Sequence, residues 1–151
     1  MLTTVKLTYL LKASVLSMNF SDINYFAILV AALSSFMLGD IWYSKIMFKQ
    51  AWLESCGLTE LDLQSANPKW IFGGSFACVF SAAFILCLFL GNDAGVAQSI
   101  GTGFAIGLFL VSSSLGLSYI YEQRPAKLFL INSGFSILQF SLMGFILGVW
   151  P

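Results

Sequence analysis

The spacing of the charged residues constrains this chain more than any other feature of its sequence. The charges leave four long uncharged runs, which are 17 residues between Asp22 and Asp40, 23 between Lys69 and Asp93, 28 between Asp93 and Glu122, and 24 after Lys127. A helix that crosses the hydrocarbon core of a bilayer needs about 20 residues. Each run therefore predicts one transmembrane segment.

Backbone groups inside lipid must bond within their own segment, so these runs are predicted to be helices. The regular alternation that a membrane barrel needs does not occur in them. Trp and Tyr favour the membrane–water interface, and they stand near the ends of the runs. The sequence predicts an all-α membrane protein, a bundle of four transmembrane helices at about 25–43, 70–90, 96–121 and 126–150.

The composition excludes several classes of protein. Only 9% of the residues are charged and 58% are hydrophobic, whereas a soluble domain carries about 25% charged residues to cover its surface. The chain has no histidine, which removes imidazole bases and histidine-bearing metal sites. Its three cysteines form no CxxC pair, and its net charge is zero. We predict no metal site, no cofactor and no nucleic-acid partner.

The first part of the chain is interpreted separately from the bundle. Residues 1–17 carry Lys6 and Lys12 among apolar residues and lack a clear cleavage site, so we interpret them as an N-terminal extension. This extension is either an interfacial helix or a segment that precedes a translation start at Met18. Residues 18–151 then form the four-helix transmembrane domain.

Lysine and arginine residues predict the orientation. Five lie in the two loops that follow the first and third spans, which are Lys45, Lys49, Lys69, Arg124 and Lys127. The opposite side has only Lys6 and Lys12. By the positive-inside rule, both basic loops are cytoplasmic and both termini lie outside. We expect a multi-pass protein of the cell membrane, with the lipid bilayer as its first partner.

The loop between the first two spans is long enough to contain structure of its own. Apolar and polar residues alternate around Lys49 in a pattern that predicts a short amphipathic cytoplasmic helix. Gly57 is expected to end that helix, and Thr59 with Asp62 resembles a capping box. The loop either closes the cytoplasmic end of the bundle or provides a surface for a partner.

Small residues recur at four-residue spacing, which lets helix backbones approach closely in lipid. They are Ala27, Ala31, Ser35 and Gly39 in the first span, Gly103 and Gly107 in the third, and Gly144 and Gly148 in the fourth. We expect most of these strips to pack within the bundle. At least one of them can instead serve a homo-oligomer or contact another membrane subunit.

Polar residues inside the apolar spans are the candidate site residues. Asn132, Ser136 and Gln139 share one face of the fourth span. They either line a path for a small ligand or ion, together with Asp40, or make hydrogen bonds between helices. The only acid inside a predicted span, Asp40, is alternatively expected to form an ion pair with Arg124 or Lys127.

Two blocks of sequence resemble a known family. The first is Leu38-Gly39 followed by Trp42-Tyr43-Ser44, Phe48 and Trp52, and the second is Arg124 to Asn132 followed by Gly134-Phe135 and Gly144 to Leu147. Together with Gly57-Leu58-Thr59 they resemble the domain of unknown function 1761 family, over about residues 18–150. Lys45 and Phe135 stand where that family often has proline and tyrosine. The resemblance implies a four-helix integral membrane protein, found mostly in bacteria, with no established activity.

The sequence leaves two classes of function open. The first is a non-enzymatic membrane protein that acts as a self-associating bundle or as an accessory subunit of a membrane complex. The alternative is a small transporter or channel with a polar lining on the fourth span. An intramembrane enzyme is disfavoured, because the spans offer no histidine and no pair of acids.

The orientation predicts a labelling pattern. In a variant without native cysteines, a cysteine at Gln64 should react with a membrane-impermeant maleimide only after the cells are permeabilised, because its loop is cytoplasmic. A cysteine at Gly95, in the opposite loop, should react in intact cells. Mass-tag gel shifts measure both reactions, and the reverse pattern would contradict the orientation.

Overall fold

The computed structural model describes residues 23–91 and 94–151, and within these ranges all regular structure is helical. Four helices are long and apolar enough to cross a membrane, which confirms the predicted fold class. They are α1 (Tyr25–Trp42), α4 (Pro68–Leu90), α5 (Val96–Tyr121) and α6 (Ala126–Val149). The interpretation of residues 1–17 lies outside the described residues.

Side chains next to the helix ends explain where two of the spans begin. The Asn24 side chain accepts a hydrogen bond from the Ala27 amide at 3.0 Å and starts α1. Asn67 does the same for the Lys69 amide at 3.1 Å, so α4 begins at Pro68 rather than at residue 70. Proline is well suited to the first turn because an amide there has no partner within the helix.

The loop after α1 contains two short helices, α2 (Lys49–Cys56) and α3 (Glu60–Ser65). Gly57 ends α2 with a positive φ of 71°, as predicted, since glycine has no Cβ to oppose that conformation. The expected capping box is also present, with Thr59 and Asp62 bonded to each other's backbone amides. The predicted amphipathic, interfacial placement of this loop stays a prediction.

The fourth span is the centre of the bundle, because α6 packs against both α5 and α1 while α4 packs mainly against α1. The buried cluster lies in the half of the bundle away from the basic loops, and its members are Ala27, Ile28, Ala31, Ala32, Ala83, Leu86, Met143 and Leu147. In α4 only Ala83 and Leu86 are buried. The half of α4 nearest the basic loops is therefore loosely held.

Glycines bring α5 and α6 into backbone contact. A Cβ added at Gly103 would overlap the carbonyl oxygen of Phe140, and one added at Gly144 would overlap the carbonyl oxygen of Ser99. At Gly107 the added Cβ would lie 2.8 Å from the Ile137 Cα. Gly148 is equally tight against Ser99. Both GxxxG strips therefore serve contacts within this chain.

Helix α5 contains a π-helical segment at Ile106–Val111, beside the tight contact at Gly107. The Gly107 carbonyl oxygen accepts two hydrogen bonds from Ser112, one from its backbone amide in the π-helical pattern and one from its hydroxyl at 2.8 Å. Such segments are insertions that re-aim one face of a helix. Nothing in the residue pattern of α5 predicted this one.

Replacing one glycine of α5 tests the contact. Gly103→Ala should lower the free energy of unfolding by about 1–3 kcal/mol, because the methyl group meets the backbone of α6. Gly101→Ala is the matched control on the same helix, where nothing lies within 4 Å of the added atom. It should leave stability unchanged or raise it by up to about 1 kcal/mol. Equal effects in a denaturation series in mixed micelles would contradict the contact.

Candidate functional site

A chain of hydrogen bonds links three helices at the end of the bundle that carries the basic loops. The hydroxyl of Tyr43, just beyond α1, donates to Oδ1 of Asn132 at 2.9 Å. Nδ2 of Asn132 in turn donates to the hydroxyl of Tyr119 on α5 at 2.7 Å. Asn132 thus makes hydrogen bonds between helices, to one tyrosine that follows α1 and to another on α5.

Aromatic rings surround this hydrogen-bonded chain. The indole Nε1 of Trp42 donates to the Ile131 carbonyl oxygen at 3.1 Å. The Tyr43 ring lies 5.3 Å from that of Phe135 and 5.6 Å from that of Trp52. Both blocks of the family resemblance thus meet in one place. We call Trp42, Tyr43, Tyr119, Asn132 and Phe135 the aromatic cluster.

Burial raises the pKa of Tyr43 well above its usual range, and the nearby Tyr119 and Cys56 act in the same direction. A tyrosine with its ordinary pKa of about 10 already keeps its proton at neutral pH, so the Tyr43 phenol is a donor to Asn132 with or without this change. Burial also raises the pKa of the Cys56 thiol in α2, while the positive charge of Arg124 opposes that change.

Two basic residues at the connection between α5 and α6 pair with glutamates. Lys127 Nζ lies 3.4 Å from Glu54 Oε2 of α2, and Arg124 Nε lies 3.0 Å from Glu122 Oε2. Neither forms the expected pair with Asp40 in the described part of the chain. The reason is position, because Asp40 faces α4 while Arg124 and Lys127 stand at the α5–α6 connection.

Beside the aromatic cluster, an open groove of about 1410 Å³ separates α4 from α1 and α6. Asp40 of α1, Tyr43 just beyond it, and Lys69 and Trp70 of α4 line its mouth, together with further residues of all three helices. Phenylalanine rings form part of its walls, with Phe36 and Phe72 6.0 Å apart between ring centroids. The groove exists because α4 is packed only through its far half.

Two polar side chains line the deeper part of the groove. Gln139 of α6 is 8% exposed, and its amide has no hydrogen bond among the described residues. Ser35 of α1 is fully buried, and its hydroxyl has no partner there either. A buried polar group without a partner costs free energy, about 1–3 kcal/mol. Ser35 bears this cost, and the Gln139 amide lines the groove beside it, so both side chains can exchange hydrogen bonds with a ligand there.

The four candidate lining residues thus separate into two pairs. Asp40 and Gln139 line the groove, whereas Asn132 belongs to the aromatic cluster. Ser136 is buried and bonds the Asn132 carbonyl oxygen of its own helix at 2.9 Å. Of the small residues predicted to pack, Ala27, Ala31 and Ser35 are fully buried, and Gly39 approaches the ring of Phe135.

Several residues of the site escaped the sequence analysis. The sequence places Lys69 among the basic residues of a cytoplasmic loop and Trp70 among the interfacial aromatic residues, yet both line the groove. Tyr119 had been interpreted as an interface marker, yet it bonds Asn132. The sequence does contain a signal for this bond. Tyr119 lies near the end of α5 and Asn132 near the start of α6, and the short connection between these helices places both residues near the same end of the bundle.

Substitution within the hydrogen-bonded chain should weaken the bundle. Asn132→Leu removes both bonds and should lower the free energy of unfolding by about 1–2 kcal/mol, at about 0.6 kcal/mol or more for each bond. Tyr119→Phe should cost about half of that, and the two changes should be non-additive in a double-mutant cycle. Tyr121→Phe, at an exposed position of the same helix, is the control. Additive effects would contradict the bond.

Comparison with known proteins agrees with the architecture. No curated protein and no solved structure matches this chain. The family model described as "Protein of unknown function (DUF1761)" matches residues 26–148, which include the aromatic cluster, the groove and all of the four long helices except the first residue of α1 and the last residue of α6. The chain therefore belongs to the DUF1761 family of proteins of unknown function.

Proposed function

We propose that this multi-pass membrane protein is non-enzymatic and acts by association, either as a self-associating bundle or as an accessory subunit of a membrane complex. The observation that carries the proposal is the packing of α4. Residues 68–78 contain no buried side chain, and Trp70 is 80% exposed. The other three long helices each bury residues along more of their length.

An exposed strip of α4 at the edge of the groove is suited to a close helix–helix contact. Gly73, Ala77 and Ser81 are exposed at four-residue spacing, Gly73 and Ala77 also line the groove, and nothing lies within 4 Å of a Cβ added at Gly73. The strips of α1, α5 and α6 are occupied inside the bundle, so the α4 strip is the one left for another helix. Together with the loose packing of residues 68–78, this strip favours α4 as the associating helix.

The proposal includes a location. We place the protein in the bacterial inner membrane, with the aromatic cluster and the basic loops at the cytoplasmic face and both termini outside. The excess of lysine and arginine in the two loops supports this orientation.

A second candidate function is a small transporter or channel that uses the groove as its polar path. Gln139 and Asp40 favour it, because both line the groove at different depths. Substrate passage would also require an opening through the buried cluster of Ala83, Leu86 and Met143, which fills the far half of the bundle. We therefore rank association first.

The native cysteine of α4 provides a test of association. Cys78 is exposed and lies one residue from the α4 strip. In the background Cys56→Ser with Cys87→Ala, a short bismaleimide should crosslink Cys78 of two copies in native membranes. The product should run at twice the monomer mass. An accessory subunit would instead yield a product of one copy with one defined membrane protein.

The matched control moves the cysteine to another lipid-facing position. Cys78→Ala combined with Phe109→Cys places a thiol on an exposed site of α5, where no crosslinked product is expected. Equal crosslinking at both positions would indicate random collision and contradict the α4 interface. A monomer without any crosslinked or copurifying membrane protein would overturn the proposal in both of its forms.

A further inference from the structure

We propose that the groove between α1, α4 and α6 is a binding site for one glycerophospholipid whose headgroup is zwitterionic and carries a primary amine. The lipid enters sideways from the leaflet next to the basic loops. Its headgroup lies at the mouth, between Asp40 and Lys69, and its glycerol ester region lies deeper, beside Ser35 and Gln139.

The charges at the mouth favour a zwitterion. Asp40 supplies one negative charge and Lys69 supplies one positive charge, and neither forms an ion pair with any residue of the described ranges. Lys69 also stands in the first turn of α4, where the helix dipole adds to the positive potential. A phosphate at Lys69 and an ammonium at Asp40 would pair both charges. An anionic headgroup would bring no positive charge to pair with the Asp40 carboxylate.

The register of α1 against α6 places the polar groups at the depth that a glycerophospholipid needs. The two helices run antiparallel, with Tyr43 bonded to Asn132 at one end and Phe26 against Trp150 at the other. A Cβ at Gly39 would lie 3.5 Å from the ring of Phe135, so one turn deeper Ser35 is level with Gln139.

The charged groups at the mouth of the groove and the polar groups deeper in it are a short distance apart. Asp40 and Ser35 are separated by five residues, or about 7.5 Å of helix rise. The ester carbonyls of a glycerophospholipid lie below its phosphate by the length of the glycerol unit. Those carbonyls are acceptors that the Gln139 amide and the Ser35 hydroxyl can bond.

The remaining wall is apolar and suits acyl chains. Phe36 and Phe72 stand on facing helices, and Val79, Ala82 and Phe140 continue the surface towards the buried cluster. Trp70 at the mouth has the amphipathic ring that favours the headgroup level. Charged, polar and apolar zones thus follow one another in the order found along a phospholipid.

This inference goes beyond the proposed function and does not require it, because a monomer can bind a lipid in this groove. If the crosslinking test finds no association but the lipid is retained, only the proposed function fails. If copies associate without selective lipid retention, only the present inference fails.

Native mass spectrometry of the purified full chain provides the test. The probes are dioleoyl-phosphatidylethanolamine, -phosphatidylcholine and -phosphatidylglycerol, added in equal amounts to the protein in detergent. Adducts of the ethanolamine lipid should exceed the other two by about threefold to tenfold. A primary ammonium donates hydrogen bonds to Asp40, which a quaternary ammonium cannot do and a glycerol headgroup does without charge.

Single substitutions assign the contacts. Asp40→Asn should remove the preference for ethanolamine over choline, and Lys69→Gln should weaken retention of all three lipids. Gln139→Leu should also lower total retention. Both charged positions are exposed, so these variants are expected to fold. Circular dichroism and size exclusion would check their fold.

Matched controls lie outside the groove. Lys127→Gln removes a lysine at the same end of the bundle, and Ser133→Ala removes a buried hydroxyl that, like that of Ser35, has no partner in the described residues. Neither should change retention, whereas Ser35→Ala should lower it. Equal retention of the three lipids, an unchanged preference in Asp40→Asn, or unchanged retention in Lys69→Gln would overturn the inference.

Discussion

The backbone contact between α5 and α6 is the constraint on which the rest of the bundle depends. Gly103 and Gly144 meet the carbonyl oxygens of the opposite helix, so neither position can hold a larger residue without moving a backbone. Lipid tails are as apolar as the side chains, so no hydrophobic effect drives the helices together. Close packing therefore becomes the main source of specificity. With α5 held so closely, α6 is free on its other side to receive α1, and α4 is left with α1 as its main support.

This order of packing produces two unlike halves. Away from the basic loops, small and medium side chains of α1, α4 and α6 close into the buried cluster around Ile28, Leu86 and Met143. Towards the basic loops, α4 diverges and the groove opens. The same end is nevertheless held together on its other side, because the aromatic cluster joins α1, α5 and α6 and the pair of Lys127 with Glu54 attaches α2. A rigid wall therefore faces a loosely held helix, an arrangement that suits a binding surface.

The two blocks that carry the family resemblance acquire a physical meaning in this arrangement. Trp42 and Tyr43 lie at the end of α1, and Ile131 and Asn132 lie in α6, 89 residues later in each bonded pair. Their contacts are polar bonds between aromatic donors and either a backbone carbonyl or a carboxamide. Such bonds are directional, so they fix the rotation of α1 against α6. They thereby decide that Asp40 faces α4, which is why the expected ion pair of Asp40 with Arg124 or Lys127 does not form in the described residues.

Several features could be predicted from the residues alone because they depend on local hydrophobicity and backbone chemistry. These are the number of long helices, their limits to within about two residues, the end of α2 at Gly57 and the capping box of α3. The residues also mark Asn132, Gln139 and Asp40 as unusual, since polar groups are costly in lipid. The role of each of these three side chains depends on the folded bundle. Asn132 bonds two tyrosines, and Ser136 bonds a carbonyl oxygen of its own helix. Gln139 and Asp40 line the groove. These outcomes depend on the rotation of the helices and on the divergence of α4, which are set by contacts between residues far apart in the chain.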